Sequence, residues 1–222
     1  MTDQKKIKLI YAGVAVISIA ILGMSWFLTT LRKEQRSQGD SIVDAGKEEV
    51  SEIKVLERDI ELEQQDGSKV KISDLNDKVW LAVQFYVSCP MCAERNAEHL
   101  LKVYREFKDE PDFRVLCFSI DPEEDTPEKQ QEIRELLDVD PANWWFLKAE
   151  KDELLDYMRN EMLFGDIRER TEPLEAAAKG KWAHDLGIQV YRGDTMIKKW
   201  HTGLELDVLR DEVKNALIEI KN

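Results

Sequence analysis

The sequence predicts an α/β domain in which a central mixed sheet is flanked by helices. Two apolar runs of strand length, residues 79–87 and 113–120, are rich in β-branched and aromatic residues, which is typical of strands buried on both sides. Segments with apolar side chains at helical spacing follow these runs. Because strands that alternate with helices favour parallel pairing, we expect a partly parallel sheet covered by helices on both faces.

The first predicted element is a hairpin over residues 57–73. Asp66 and Gly67 form its turn, because Asp-Gly is a favoured pair for a tight hairpin connection. The buried strand at 79–87 then leads directly into a helix whose apolar face extends to Phe107. The turn between that strand and that helix is the centre of the predicted domain.

The second half of the domain continues the alternation. Thr126 before Pro127 predicts a helix start, a capping residue ahead of a proline at the first helical position. This helix is expected to reach about Leu137, with Asp140 and Pro141 ending it. The remaining predicted elements are a strand at 144–148, a helix at 152–163, a charged surface excursion at 165–181, a hairpin at 188–191 and 196–201 that turns at Gly193 and Asp194, and a helix at 205–220.

An apolar stretch precedes the domain. Residues 9–28 carry no charge and are long enough, at about 20 residues, to cross a bilayer as a helix. No signal-peptidase motif follows the stretch, so we interpret it as an uncleaved anchor. The predicted organisation is a tail with a single transmembrane helix at 1–33, a polar linker at 34–54 and the folded domain at 55–222.

The charge distribution limits the partners and the orientation. The formal net charge is -13 and no basic stripe is present, so we expect no nucleic-acid partner. The charges on the two sides of the apolar stretch are balanced. The short lysine-bearing tail favours retention inside, which would place the domain outside the membrane.

Cys89 and Cys92 lie on the turn between the first buried strand and its helix. There the free amides and the helix dipole stabilise a thiolate. A zinc site of this kind would need a second cysteine pair, which the sequence lacks, and a disulfide across so short a loop would constrain the unfolded chain little. The pair therefore predicts a functional dithiol in a thioredoxin-like fold, whereas Cys117 is predicted to be a small buried hydrophobe.

His184 is the second candidate. It precedes the last hairpin, and in a thioredoxin-like fold that loop lies beside the cysteine turn. Thioredoxins carry a cis-proline there, but no proline follows Pro173 in this chain. Two thiolates and one imidazole would form a soft ligand set that suits Cu(I) and also holds Cu(II).

Two acidic residues at the start of the second helix are weaker candidates. Asp121 and Asp125 are predicted to orient His184 or to line the site. The other two histidines are interpreted as an ordinary helix residue and a strand-end residue: His99 and His201.

Three sequence blocks together resemble one family. They are DGSKVKISDLNDKVWLAVQFYVSCPMC, FSIDPEEDTPE and AHDLGIQVYRGD. Their order over residues 55–220 is similar to that of the SCO/SenC copper-delivery proteins. The resemblance implies a domain facing the periplasm or the mitochondrial intermembrane space. It also implies that copper is bound through Cys89, Cys92 and His184 and is used to assemble the Cu(A) centre of cytochrome c oxidase.

The cysteine spacing keeps two functions open. The family places three residues between its cysteines, whereas this chain has two, a spacing typical of thiol-disulfide oxidoreductases. The primary hypothesis is a membrane-anchored copper chaperone for cytochrome c oxidase subunit II or another cuproprotein, supported by a thiol reductant. The alternative is an oxidoreductase that reduces cysteines of an oxidase subunit or another exported protein, and a non-catalytic assembly scaffold is a third hypothesis. The expected location is the bacterial inner membrane with a periplasmic domain, or the mitochondrial inner membrane facing the intermembrane space.

Overall fold

The structure, a computed structural model, describes residues 54–89, 97–200 and 205–221. All of them lie in one compact unit, Gly46–Asn222. The predicted anchor, the linker, Cys92 and His201 lie outside the described residues. Within the described ranges, no helix has the length and apolar character needed to span a bilayer.

One mixed sheet organises the described residues. The strands are β1 (Lys54–Val55), β2 (Glu61–Gln64), β3 (Lys69–Lys71), β4 (Val79–Phe85), β5 (Phe113–Ser119), β6 (Trp144–Lys148), β7 (Arg168–Glu169), β8 (Trp182–Ala183), β9 (Ile188–Arg192) and β10 (Thr195–Trp200). Eight of these described strands form the sheet in the order β1-β10-β9-β4-β5-β6-β2-β3, and β7 pairs with β8 separately. Strand β5 runs parallel to β4 and β6, while the remaining pairs are antiparallel. The predicted mixed sheet is therefore confirmed.

Five α-helices are present among the described residues, besides one 3-10 turn at Ile72–Leu75. They are α1 (Ala97–Phe107), α2 (Pro127–Leu137), α3 (Lys151–Asn160), α4 (Pro173–Lys179) and α5 (Leu206–Ile220). Helix α2 begins as predicted, with the Thr126 side chain accepting a hydrogen bond from the Lys129 amide. It also ends at Leu137 as predicted, because Asp138 adopts a left-handed conformation with φ of 54°. Asp140 and Pro141 follow this break.

The sheet carries a hydrophobic core on each face. Along β4, Val79 and Leu81 contribute to one core, and Trp80 and Ala82 contribute to the other, as the two-residue period of a strand requires. Buried side chains of α1 and α5 belong to the first core, and those of α3 belong to the second. Helices therefore cover both faces of the sheet, which accounts for the almost continuous apolar character of β4.

The segment at 165–181 differs from the sequence prediction. The sequence predicts a charged, weakly patterned surface excursion here, but the segment contains β7 and α4, and it ends where β8 begins. These elements are too short to produce a readable period, because β7 and β8 have two residues each and α4 has seven. The difference matters for function, since β8 leads directly to His184.

Gly193 lies in the β9–β10 turn, where a side chain should destabilise the folded protein. Its φ is +61°, and an added Cβ would lie 2.8 Å from the main-chain oxygen of Asn76. We expect Gly193→Ala to lower the free energy of unfolding by about 2–4 kcal/mol, because left-handed strain adds to a backbone clash.

Gly67→Ala is the matched control for Gly193→Ala. Gly67 has a similar φ of +81°, but nothing lies within 4 Å of an added Cβ. In Gly67→Ala, conformational strain alone should lower the free energy of unfolding, by about 1 kcal/mol. Urea denaturation of both variants, followed by tryptophan fluorescence, measures the difference. Equal losses in the two variants would contradict the clash with Asn76.

Candidate metal centre

Cys89 lies on the loop that follows β4. Its side chain is buried, at 8% exposure, and its amide donates a hydrogen bond of 3.1 Å to the carbonyl of Tyr86. Its sulfur is disulfide-bonded in this structure. Cys89 is therefore in its oxidised state in this structure. Since a metal ligand must be a thiolate, reduction has to precede any binding of copper by this residue.

Cys117 has the role predicted for it. It is a free cysteine, 2% exposed, in the core on the α1 and α5 face of the sheet. Burial raises the pKa of its thiol well above the usual range, so the side chain stays protonated. Cys89 belongs to the opposite core, and the two cysteines thus have separate environments.

His184 lies beside Cys89, as the topology predicted. It follows β8, and its Nε2 atom is 3.7 Å from the Cys89 sulfur. Its Nδ1 atom lies 2.8 Å from the main-chain oxygen of Asp185, which only accepts hydrogen bonds. We therefore assign the proton to Nδ1, and this leaves the lone pair of Nε2 directed toward the sulfur.

The surroundings of His184 keep its ring neutral. Burial lowers the pKa of His184 to about 4, against the smaller raising effect of the hydrogen bond to Asp185. The positive charge of Arg170 lowers this pKa further. The Tyr86 ring meets the imidazole edge-on, with centroids 5.5 Å apart. At neutral pH the imidazole is therefore uncharged and needs to lose no proton before it binds a metal.

The two predicted acidic residues hold the segments that carry the candidate ligands. Asp125 is 1% exposed, and its Oδ1 accepts a hydrogen bond of 2.8 Å from the Val87 amide, two residues before Cys89. Asp121 is 3% exposed, and its Oδ2 accepts a 2.6 Å hydrogen bond from the Trp182 indole, two residues before His184. Each carboxylate thus fixes the chain just ahead of one candidate ligand.

Arg170 and Tyr86 are site residues that the sequence interpretation missed. The guanidinium of Arg170 donates to the carbonyls of Lys179, Gly180 and Trp182, which fastens the 165–181 segment to β8. Arg170 and the main chain of Trp182 both lower the pKa of the buried Tyr86 hydroxyl, although no hydrogen bond of normal geometry forms. Burial is the larger effect and raises that pKa. Their residue types carry no motif, so only the packing reveals them.

Once Cys89 is reduced, the two described donors are soft. A thiolate and a neutral imidazole are ligands that copper prefers to hard oxygen ligands. One ion bound about 2.0–2.3 Å from each donor would bring sulfur and nitrogen to within roughly 4 Å of each other. The 3.7 Å separation of Cys89 and His184 fits that requirement. Across the ranges that the structure describes, no group of three metal-binding side chains is found, and Cys92 lies outside them.

Comparisons with known sequences find a likeness to one family. Residues 49–144 match the family model described as SCO1/SenC. A curated SCO1 protein homolog from Bacillus subtilis (strain 168) is 31% identical over 84 residues. That alignment covers 37% of this chain and 44% of the relative, so the match spans less than half of the relative's length.

Comparisons with solved structures show the same fold as members of the Sco family. BsSco is described as a member of the Sco family of cytochrome c oxidase assembly proteins with a disulfide switch; its TM-score is 0.61 at 19% identity, covering 74% of this chain and 94% of that one. Arabidopsis thaliana ScoI with copper bound has a TM-score of 0.58 at 17% identity, covering 74% and 99%. These likenesses confirm the predicted thioredoxin-like α/β fold.

Proposed function

From the confirmed resemblance of this chain to the SCO/SenC family, we propose that it is a copper chaperone. Cys89, Cys92 and His184 would hold copper for the Cu(A) centre of cytochrome c oxidase. The observation that carries the proposal is the pairing of Cys89 with a neutral His184 whose Nε2 faces the sulfur at 3.7 Å. Copper-bound and oxidase-assembly relatives with the same fold support it.

Loading would proceed in two steps. First, a thiol reductant supplies two electrons and two protons to the disulfide of Cys89, which yields two thiols. Second, copper binding displaces the thiol protons, because only thiolates bind the ion. His184 contributes its Nε2 lone pair without releasing a proton, since its ring is already neutral. Asp125 and Asp121 would keep the two ligand-bearing segments in register.

Competition for Cu(I) tests this proposal. The reduced full chain, in detergent micelles, is titrated against a chromophoric Cu(I) chelator, and His184→Ala is measured beside the wild type. We expect tight one-to-one binding by the wild type and binding at least about 10-fold weaker by the variant, since even the outer partners of metal ligands are worth that much. A wild type that does not compete, or a variant that competes equally well, would refute the assignment.

A second function is favoured by the disulfide state of Cys89. Cys89 is disulfide-bonded here, and an oxidised Cys-x-x-Cys motif is also the resting state of a thiol-disulfide oxidoreductase. In that reaction the reduced pair would attack a substrate disulfide, leaving an oxidised pair and a reduced substrate. Insulin reduction in the presence of a strong metal chelator tests it. A rate no higher than that of a free dithiol would exclude this alternative.

The location is part of the proposal. We infer a single membrane anchor at residues 9–28 with the domain on the outer side, in the bacterial periplasm or the mitochondrial intermembrane space. Subunit II of the oxidase and a thiol reductant would meet the domain there. Alkaline phosphatase is active only after export, so its fusion behind Asn222 should be active. An inactive fusion would contradict the proposed orientation and place the domain on the inner side of the membrane.

A further inference from the structure

A buried ion pair lies directly behind the candidate histidine. Lys199, near the end of β10, has its ammonium 3.1 Å from the carboxylate of Asp185, the residue after His184. The two side chains are 3% and 5% exposed. Among the ion pairs of the described residues, it is the one in which both partners are this deeply buried. Burying two charges together is seldom the most stabilising choice, and the retention of a specific geometry is one known reason for keeping such a pair.

The segment 163–165 closes around this pair. The Lys199 ammonium donates to the carbonyl of Leu163 and lies 5.4 Å from the centre of the Phe164 ring. The Gly165 amide donates to Asp185 Oδ2 at 3.1 Å. Leu163 adopts a φ of 55°, which is unfavourable for a leucine. The backbone at Leu163 is therefore locally strained where the segment surrounds Lys199 and Asp185 with hydrogen-bond partners.

Asp185 transmits this arrangement to the candidate ligand. Its side-chain Oδ1 accepts a hydrogen bond from the Gly187 amide at 2.8 Å, and its own amide donates to Gln84 Oε1 at 2.9 Å. Its carbonyl oxygen accepts the proton of His184 Nδ1 at 2.8 Å. Because side chain and main chain are both fixed, any turn of Asp185 toward solvent would move the carbonyl that holds the imidazole.

We propose that Lys199 is a positioning residue for His184. Its charge retains the Asp185 carboxylate in the interior, and the retained Asp185 fixes the ring with Nδ1 protonated and Nε2 facing Cys89. The contacts of Lys199 described above are with Leu163, Phe164 and Asp185, so its effect on His184 is exerted through Asp185. The consequence for copper affinity rests on the proposed function, whereas the consequence for the histidine tautomer does not.

Substitution of Lys199 by methionine is the direct test. Lys199→Met keeps most of the side-chain volume but removes the charge, and leaves a buried carboxylate without its counter-ion. Long-range 1H–15N NMR on the full metal-free chain in detergent micelles reads which ring nitrogen of His184 carries the proton. We expect the wild type to be protonated at Nδ1 and the variant to show a mixture of the two tautomers. The Cu(I) affinity of the variant should fall about 10–100-fold, the range found for outer-shell partners of metal ligands.

Two further variants separate positioning from general damage. In Lys199→Met combined with Asp185→Asn, no buried charge remains, and we expect the Nδ1 tautomer and most of the Cu(I) affinity to return. Lys102→Met is the matched control, because Lys102 pairs with Glu98 on an exposed helix face at 49% and 70% exposure. Lys102→Met should change neither the tautomer of His184 nor the Cu(I) affinity.

The outcomes are distinct. A wild-type tautomer in Lys199→Met would overturn the proposal even if copper binding by the chain is established. A tautomer change in a chain that binds no copper in any form would leave the positioning role standing and refute the proposed function. If Lys199→Met does not fold, Lys199→Gln removes the same charge and keeps a polar side chain beside Asp185. Retention of the Nδ1 tautomer in that variant would overturn the proposal as well.

Discussion

Replacement of Cys89 by serine is expected to lower the affinity of the chain for Cu(I) by more than about 100-fold. Loss of an outer-shell partner of a metal ligand already weakens binding about 10–100-fold, and a hydroxyl in place of a thiolate removes a soft ligand altogether. Cys89 is the described cysteine beside His184, with 3.7 Å between Sγ and Nε2. The measurement is competition with a Cu(I) chelator by the reduced full chain.

Cys117→Ala is the control for this experiment. Cys117 is buried, as Cys89 is. It lies within strand β5, and it belongs to the core on the other face of the sheet. Its truncation should lower the free energy of unfolding by about 1 kcal/mol, and it should leave Cu(I) affinity unchanged. Equal losses of affinity in the Cys89 and Cys117 variants would mean that copper binding reports on folding rather than on the site.

The strands and helices with a clear period were predictable from the sequence. Strand β6 has the predicted bounds, Trp144–Lys148, and the hairpin turns at Gly67 and Gly193 lie where the turn residues indicated. The proximity of Cys89 and His184 also followed, because the topology brings the loop before β9 to the end of β4. Each of these depends on local sequence or on connectivity, and both are readable along the chain.

Lys199 shows what the sequence does not contain. The pair Lys198-Lys199 resembles a solvated strand end, and strict alternation in β10 starting from the buried Met196 would make Lys198 the inward residue. The pairing of β10 with β9 is irregular between Met196 and Lys198, and this shift places Lys199 in the interior. A bulge depends on the partner strand, so neither the buried lysine nor its contact with Asp185 was predictable.

The second large effect is expected at Asp125, where Asp125→Ala should lower the free energy of unfolding by about 2–4 kcal/mol. Asp125 accepts hydrogen bonds from the Val87 amide at 2.8 Å and from the Ser119 hydroxyl at 2.6 Å, and it is 1% exposed. Truncation leaves both buried donors without their acceptor, at about 1–3 kcal/mol each. The expected loss of unfolding free energy is smaller than the sum of the two hydrogen-bond contributions. Burial raises the pKa of Asp125, so its ionised form is itself disfavoured inside the protein, and removal of the carboxylate also removes this cost.

Asp125→Asn separates the hydrogen bonds from the charge. The amide oxygen still accepts from Val87, and the amide nitrogen donates to the Ser119 oxygen, so we expect stability within about 1 kcal/mol of the wild type. The wild type should lose stability relative to this variant as the pH rises through the elevated pKa of Asp125, since the folded state then holds fewer of the protons that favour it. Urea denaturation of the metal-free chain at pH 4 and pH 7 measures both effects.

Because Val87 precedes Cys89 by two residues, Asp125→Ala should also weaken Cu(I) binding, whereas Asp125→Asn should not. Equal behaviour of the two variants would mean that Asp125 does not hold the cysteine loop.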